Sequence, residues 1–173
     1  MKRIVVIGCG GSGKTHLSIT LGRSLDIPVI HLDMLFWKPG WKASKRDEFL
    51  EAQRTALSGE YWIADGNYGG TMKERIALAD SVLFLDLPTL TCLSGVIRRY
   101  FRFRNTVRPS MTLGNNGRLT KSFLLWILSY RRHRRPSILN LLAQIDPLKN
   151  VVVLKSRREV DDFILRNDGV TSI

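Results

Sequence analysis

A chain of 173 residues, 44% hydrophobic and 24% charged, has the length of one domain and can bury a core of its own, which excludes disordered, collagen-like and coiled-coil organisation. Two cysteines, Cys9 and Cys92, are too few for a disulfide framework or a structural zinc site and fit a reducing compartment, so a cytoplasmic protein is expected. The net charge of +12 is concentrated, because no Asp or Glu occurs from Leu87 to Ile145 while that stretch holds eleven Lys and Arg residues.

In chain order, Lys2 to Ile7 is β-branched and apolar without alternation, the pattern of a strand buried on both faces of a parallel sheet. The apolar run behind Lys2 and Arg3 is too short for a signal peptide, and no run in the chain nears the roughly 20 residues of a bilayer span. A glycine loop follows, and Leu17, Leu21 and Leu25 then define one face of a helix over Thr15 to Leu25. Ile27 to Leu32 predicts a second strand, and HLDMLFWKPGW after it reads as an aromatic loop broken by Pro39 and Gly40. Ser44 with Asp47 predicts a capping box for a helix ending at Gly59. Tyr61 to Ala64 is a third strand, Thr71 with Glu74 a cap for a helix through Met72, Ile76 and Ala79, and Val82 to Leu85 a fourth strand.

After Pro88 a helix through Leu93, Ile97 and Phe101 leads into a stretch rich in glycine and asparagine, Met111 to Gly117, expected to be mobile and lid-like. Helices over about 119–130 and 137–145 are separated by RRHRRP, where Pro136 prevents simple continuation. Val151 to Leu154 is the last strand, and Ser156 with Glu159 caps a terminal helix through Val160, Phe163 and Ile164. Five βα alternations imply an α/β fold, a parallel sheet with helices on both faces, in a single domain over 1–173.

Gly8, Cys9, Gly10, Gly11, Ser12, Gly13, Lys14 and Thr15 match G-x-x-x-x-G-K-[ST] completely, after a buried strand and before a helix. In such a loop the glycines turn backbone N–H groups inward around phosphate oxygens and the helix adds its positive end. Lys14 reaches the β and γ phosphates and Thr15 holds Mg²⁺, so ATP and Mg²⁺ are the expected cofactors. A second carboxylate has to anchor the magnesium hydration shell. Asp65 and Asp86 both end strands, and Asp65 is preferred because Gly66 behind it permits close approach of a ligand. Asp33 follows the second strand, where it could orient or deprotonate an acceptor hydroxyl or simply cap a turn. Phe36, Trp37, Trp41 and Tyr68 could line a pocket, although packing is the commoner use of such residues. Of the arginines, Arg98, Arg99 and Arg102 share one helical stretch and Arg108 follows, and some of them should close over phosphates. His16, His31 and His133 lack metal-site spacing and read as structural or exposed.

GCGGSGKT, HLDMLFWKPGW, IADGNYG, TVRPSM and LKSRREVDDFI together resemble the DNA topology modulation protein (FlaR-like) family, relatives of adenylate kinase, nearly end to end. That resemblance implies a three-layer P-loop fold with strand order 2-3-1-4-5 and an arginine-rich lid over about 98–135. It places Asp65 and Gly66 at the Asp-Gly motif, makes Arg98 and Arg102 lid arginines, and sets Arg157 beside adenine. The chain departs from adenylate kinases in its short acceptor region, Asp33 to Tyr61, and in Asn67 and Tyr68, which stand where phenylalanine and proline usually follow Asp-Gly.

The expected activity is ATP-dependent phosphoryl transfer to a small-molecule acceptor, with Lys14, Asp33, Arg98 and Arg102 as catalytic residues and Gly8, Gly10, Gly11, Ser12, Gly13, Thr15 and Arg157 around the nucleotide. The rival reading is a nucleic-acid-binding protein that grips phosphate backbone through the basic 98–135 segment and uses ATP as a switch. A third lays Phe123 to Arg135 on an anionic membrane surface.

Overall fold

A computed structural model describes residues 1–167. Strand β1 (Arg3–Gly8) is the central strand of a five-stranded parallel sheet, and Ile4, Val5, Val6 and Ile7 have no solvent exposure, which is why this strand carries no alternation. It pairs with β5 (Trp62–Asp65) on one side and β6 (Ser81–Leu85) on the other. β2 (Val29–His31) forms the edge beyond β5, and β7 (Asn150–Leu154) the edge beyond β6. The order β2-β5-β1-β6-β7 is the expected 2-3-1-4-5 once the strands of this sheet are counted among themselves. The numbering differs because an unexpected hairpin, β3 (Trp37–Lys38) with β4 (Lys42–Ala43), intervenes. Gly40 turns this hairpin at φ 76 and Trp41 follows at φ 59, so the aromatic stretch is partly ordered as strand.

The helices are α1 (Lys14–Leu25), α2 (Leu32–Phe36), α3 (Arg46–Ala56), α4 (Gly69–Leu78), α5 (Thr89–Phe103), α6 (Lys121–His133), α7 (Arg135–Ala143) and α8 (Arg157–Asn167). The second strand is therefore shorter than expected, and Leu32 to Phe36 is a short helix. Two expected caps do not form. Ser44 donates instead to the carbonyl of Leu35 at 3.2 Å, and Thr71 is buried inside α4, donating to Gln53 at 2.9 Å. The third capping box forms as expected: Glu159 N–H donates to Ser156 Oγ at 3.1 Å, while Ser156 Oγ and the Lys155 amide donate to the Glu159 carboxylate at 3.0 and 2.8 Å.

Met111 to Gly117, expected to be mobile, is fastened to the hairpin. Buried Asn115 accepts from the Trp41 amide at 2.7 Å and donates to the Lys38 carbonyl at 3.1 Å, and Thr112 donates to the Met34 carbonyl at 3.2 Å. Among the described residues no helix is long and apolar enough to cross a membrane.

Candidate functional site

The carboxyl ends of β1, β2 and β5 lie side by side, the edge where open α/β sheets bind ligands. Above them opens a cavity of about 650 Å³, within the usual range for a small-molecule site. Its floor is Gly10, Lys14 and Thr15. In that loop Ser12 N–H donates to the Cys9 carbonyl at 3.2 Å and the Gly10 amide donates to the Cys9 side chain, while the amides of Gly11 and Gly13 have no hydrogen-bond partner among the described residues. They form an anion cradle at the start of α1. Gly11, at φ 80, lies against the carbonyl of Cys92, leaving no room for a Cβ, and Gly95 meets the same turn from α5. The loop is thus clamped by helix backbone that no motif announced.

Lys14 Nζ donates to the carbonyls of Gly8 and Cys9, both at 2.9 Å. Burial pulls its pKa below the usual lysine value, partly offset by the Asp65 carboxylate. Asn67 clips the loop from the other side, accepting from the Gly8 amide at 2.9 Å and donating to the Gly8 carbonyl at 2.7 Å. The departure from the adenylate kinase pattern at this position therefore has a structural use. Arg157 reaches across from α8 and donates to the Gly11 carbonyl at 3.1 Å.

Asp65 is 6% exposed, and its Oδ2 accepts from Thr15 Oγ1 at 2.7 Å and meets His31 Nδ1 at 3.0 Å. Burial alone would raise the Asp65 pKa, yet the His31 hydrogen bond, the Lys14 charge and the Thr15 hydroxyl outweigh it and hold the carboxyl below its ordinary range. An ionised carboxylate only accepts, so Nδ1 of His31 carries the proton. Asp86, the other candidate, is taken by Arg135, whose Nε and Nη2 donate to both its oxygens at 2.7 to 2.9 Å, and it lies outside the cavity lining. Among the described residues no cluster of three His, Cys, Asp or Glu could cage a metal ion. A hydroxyl beside one carboxylate suits Mg²⁺, which keeps most of its waters and takes the rest of its shell from phosphates.

On the acceptor side Asp33 accepts from Tyr68 Oη at 2.6 Å and is paired with Arg108. Burial, with the Asp33 charge, pushes the Tyr68 hydroxyl pKa up, so it stays a donor. Trp37, Trp41 and Tyr68 line the cavity, while Phe36 packs behind them against Tyr68 and Phe49 at 4.8 and 5.3 Å. Phe123 and Trp126 of α6, stacked at 5.9 Å, close the side above Gly10.

The arginines that line the cavity are not the two expected to be catalytic. Arg98 and Arg102 stand on the exposed face of α5, and Arg99, Arg108 and Arg118 line the cavity instead. Helical phase is the reason: Arg99 falls seven residues after Cys92 and three after Val96, the buried residues of α5, whereas Arg98 and Arg102 fall on the opposite side. Arg99 also covers the Phe123 ring, its carbon 5.8 Å from the centroid, and burial pulls its pKa down to about 10. The site residues that sequence reasoning missed are His31, Asn67 and the α6 aromatics. The signal for His31 was there to read, since it ends β2 two residues before Asp33.

No family model matches the chain, and no curated protein does. Solved structures do. The shikimate kinase of Acinetobacter baumannii, in complex with shikimate, aligns over 96% of this chain and 90% of that one with a TM-score of 0.56 and 15% identity. The shikimate kinase of Bacteroides thetaiotaomicron aligns over 95% of each chain with a TM-score of 0.53 and 18% identity. The chain has the P-loop kinase fold. Within that fold, the strand order and the glycine loop at the end of β1 expected from the sequence are both present. These comparisons reach the P-loop kinase fold and leave the narrower DNA topology modulation resemblance resting on its motifs.

Proposed function

We propose that the chain is an ATP- and Mg²⁺-dependent phosphotransferase acting on a small-molecule acceptor. The observation that carries this reading is one cavity lined both by the phosphate loop and by Asp33, with Arg99, Arg108 and Arg118 in the same lining. In this reading the free amides of Gly11 and Gly13 bind the phosphate chain, and Lys14 leaves its two carbonyls to neutralise it. Arg157 borders the nucleotide from α8. Thr15 and Asp65 would hold Mg²⁺, which supplies charge neutralisation on the β and γ phosphates. Asp33, backed by Tyr68, positions the acceptor hydroxyl, and Arg99 and Arg108 offset charge growing on the transferred group. Phe123 and Trp126, with the fastened 104–120 segment, keep water from competing as acceptor. The motif set that resembles the DNA topology modulation protein family belongs to this proposal, as does a cytoplasmic setting.

The nucleic-acid reading draws on the same positive charge, and part of that charge is engaged elsewhere: Arg99, Arg108 and Arg118 line the cavity and Arg135 is paired with Asp86. The test is ADP formation from ATP and Mg²⁺ across a panel of hydroxy acids, sugars, nucleosides and nucleoside monophosphates. Lys14→Ala is expected to lower turnover of the best acceptor by about 100-fold or more. Turnover that survives Lys14→Ala, or no turnover with any acceptor despite tight ATP binding, overturns the reading.

A further inference from the structure

We infer that His31 is a positioning residue for the cation-bound nucleotide, acting through Asp65. The inference rests on the phosphotransferase reading and goes beyond it, because nothing in the phosphate-loop motif calls for a histidine here.

The geometry starts in the sheet. His31 and Asp65 are register partners at the ends of the parallel strands β2 and β5, so their side chains leave the sheet on the same face, into the cavity. Thr15, from the first turn of α1, approaches the same carboxylate from another direction. Both donors converge on one oxygen: Thr15 Oγ1 lies 2.7 Å and His31 Nδ1 3.0 Å from Asp65 Oδ2. Oδ1 has no hydrogen-bond partner among the described residues. A carboxylate held on one oxygen by two donors from separate elements cannot rotate without breaking both bonds, so its other oxygen keeps one direction. That free oxygen is the group available to accept from water in the shell of a nucleotide-bound Mg²⁺.

His31 matters because Thr15 has two duties. Its hydroxyl oxygen is the atom offered to the cation, while its proton holds Asp65. With only Thr15 in place, reorientation of that hydroxyl toward the cation would release the carboxylate. His31 has no duty toward the cation and keeps Asp65 aimed throughout. The imidazole is itself 12% exposed, enough to place it in the cavity wall while its Nδ1 is occupied.

The experiment is titration calorimetry of the full chain with ATP in EDTA and with ATP in excess Mg²⁺, on wild type, His31→Ala and His31→Asn, with thermal melting of each. Wild type is expected to bind ATP more tightly with Mg²⁺. His31→Ala should lose about 10-fold or more of the affinity measured with Mg²⁺ and keep the affinity measured in EDTA to within about twofold, the size expected for a partner that orients a metal-site carboxylate. His31→Asn places an amide nitrogen near the position of Nδ1 and should recover the Mg²⁺-dependent gain to within about threefold. A Mg²⁺-dependent gain in His31→Ala equal to that of wild type overturns the inference. So does an equal loss of both ATP affinities in His31→Ala and His31→Asn, since that marks a merely structural role. Wild type that binds ATP in neither buffer overturns the phosphotransferase reading itself, and is told apart from the other outcomes by needing no variant.

Discussion

Asn67 shows how one side chain ties the two halves of the site together. Its amide makes two hydrogen bonds to Gly8, and its own carbonyl is gripped from behind by Arg75. Arg75 has no solvent exposure, has no carboxylate partner among the described residues and donates to Gln53 Oε1 at 2.8 Å, and burial pulls its pKa down to about 10. The loop after β5 is thereby held against the loop after β1, and Tyr68, forced to φ 40, delivers its hydroxyl to Asp33. Asn67→Ala removes two hydrogen bonds of about 1 kcal/mol each and should lower unfolding free energy by about 2 kcal/mol in urea. ATP affinity should fall with it, because Gly8 is then free to move. Unchanged stability and affinity would show that water replaces the amide.

At the scale of elements, α5 decides which part of the basic segment does chemistry. The absence of acid from Leu87 to Ile145 was visible in the sequence, but charge density carries no phase, and a helix that packs through Cys92, Val96 and Gly95 must turn Arg99 inward and Arg98 and Arg102 outward. Arg99→Ala and Arg108→Ala should each lower turnover by about 100-fold, while Arg98→Ala and Arg102→Ala should stay within about threefold of wild type, measured as initial ADP formation at saturating ATP. The reverse ranking would mean that α5 turns when nucleotide binds. The capping boxes teach a related lesson. Ser156 with Glu159 caps α8 as its spacing implies, whereas Ser44 and Thr71 have the same signature and bond elsewhere, because Leu35 and Gln53 come within reach only after α2 and α3 have packed.

Across the whole molecule, Asp80 fastens the end of the sheet opposite the site. Its carboxylate accepts from the amides of Lys2 and Arg3, each at 2.8 Å, and from Ser81 at 2.6 Å, while its carbonyl accepts from the Asn150 amide at 2.9 Å. The beginnings of β1, β6 and β7 thus meet at one residue. Partial burial would raise its pKa, yet the hydrogen bonds from Ser81, Arg3 and Lys2 outweigh that and hold it below the ordinary 3.8. A folded-state pKa below the unfolded one adds stability that is fully present above the unfolded value and is lost as pH falls through the folded one. The Asp80 contribution should therefore be constant above about pH 5 and be lost in acid. Asp80→Asn should be less stable than wild type at pH 7, with the difference closing below about pH 3. A difference that stays constant across that range would assign the effect to hydrogen-bond geometry alone.

The sequence by itself determined the buried central strand, the phosphate loop between strand and helix, the alternation that forces a parallel sheet, Asp65 at a strand end and Asp33 just beyond one. Each of these is written in neighbouring residues, where local backbone geometry and hydrophobic period act. Only the tertiary structure decided that His31 meets Asp65 through strand register, that Asn67 clips Gly8, that Asp86 is consumed by Arg135, and that Arg99 faces inward. Those contacts join residues far apart along the chain, and their partners are selected by sheet order and helix phase, which no local window of sequence contains.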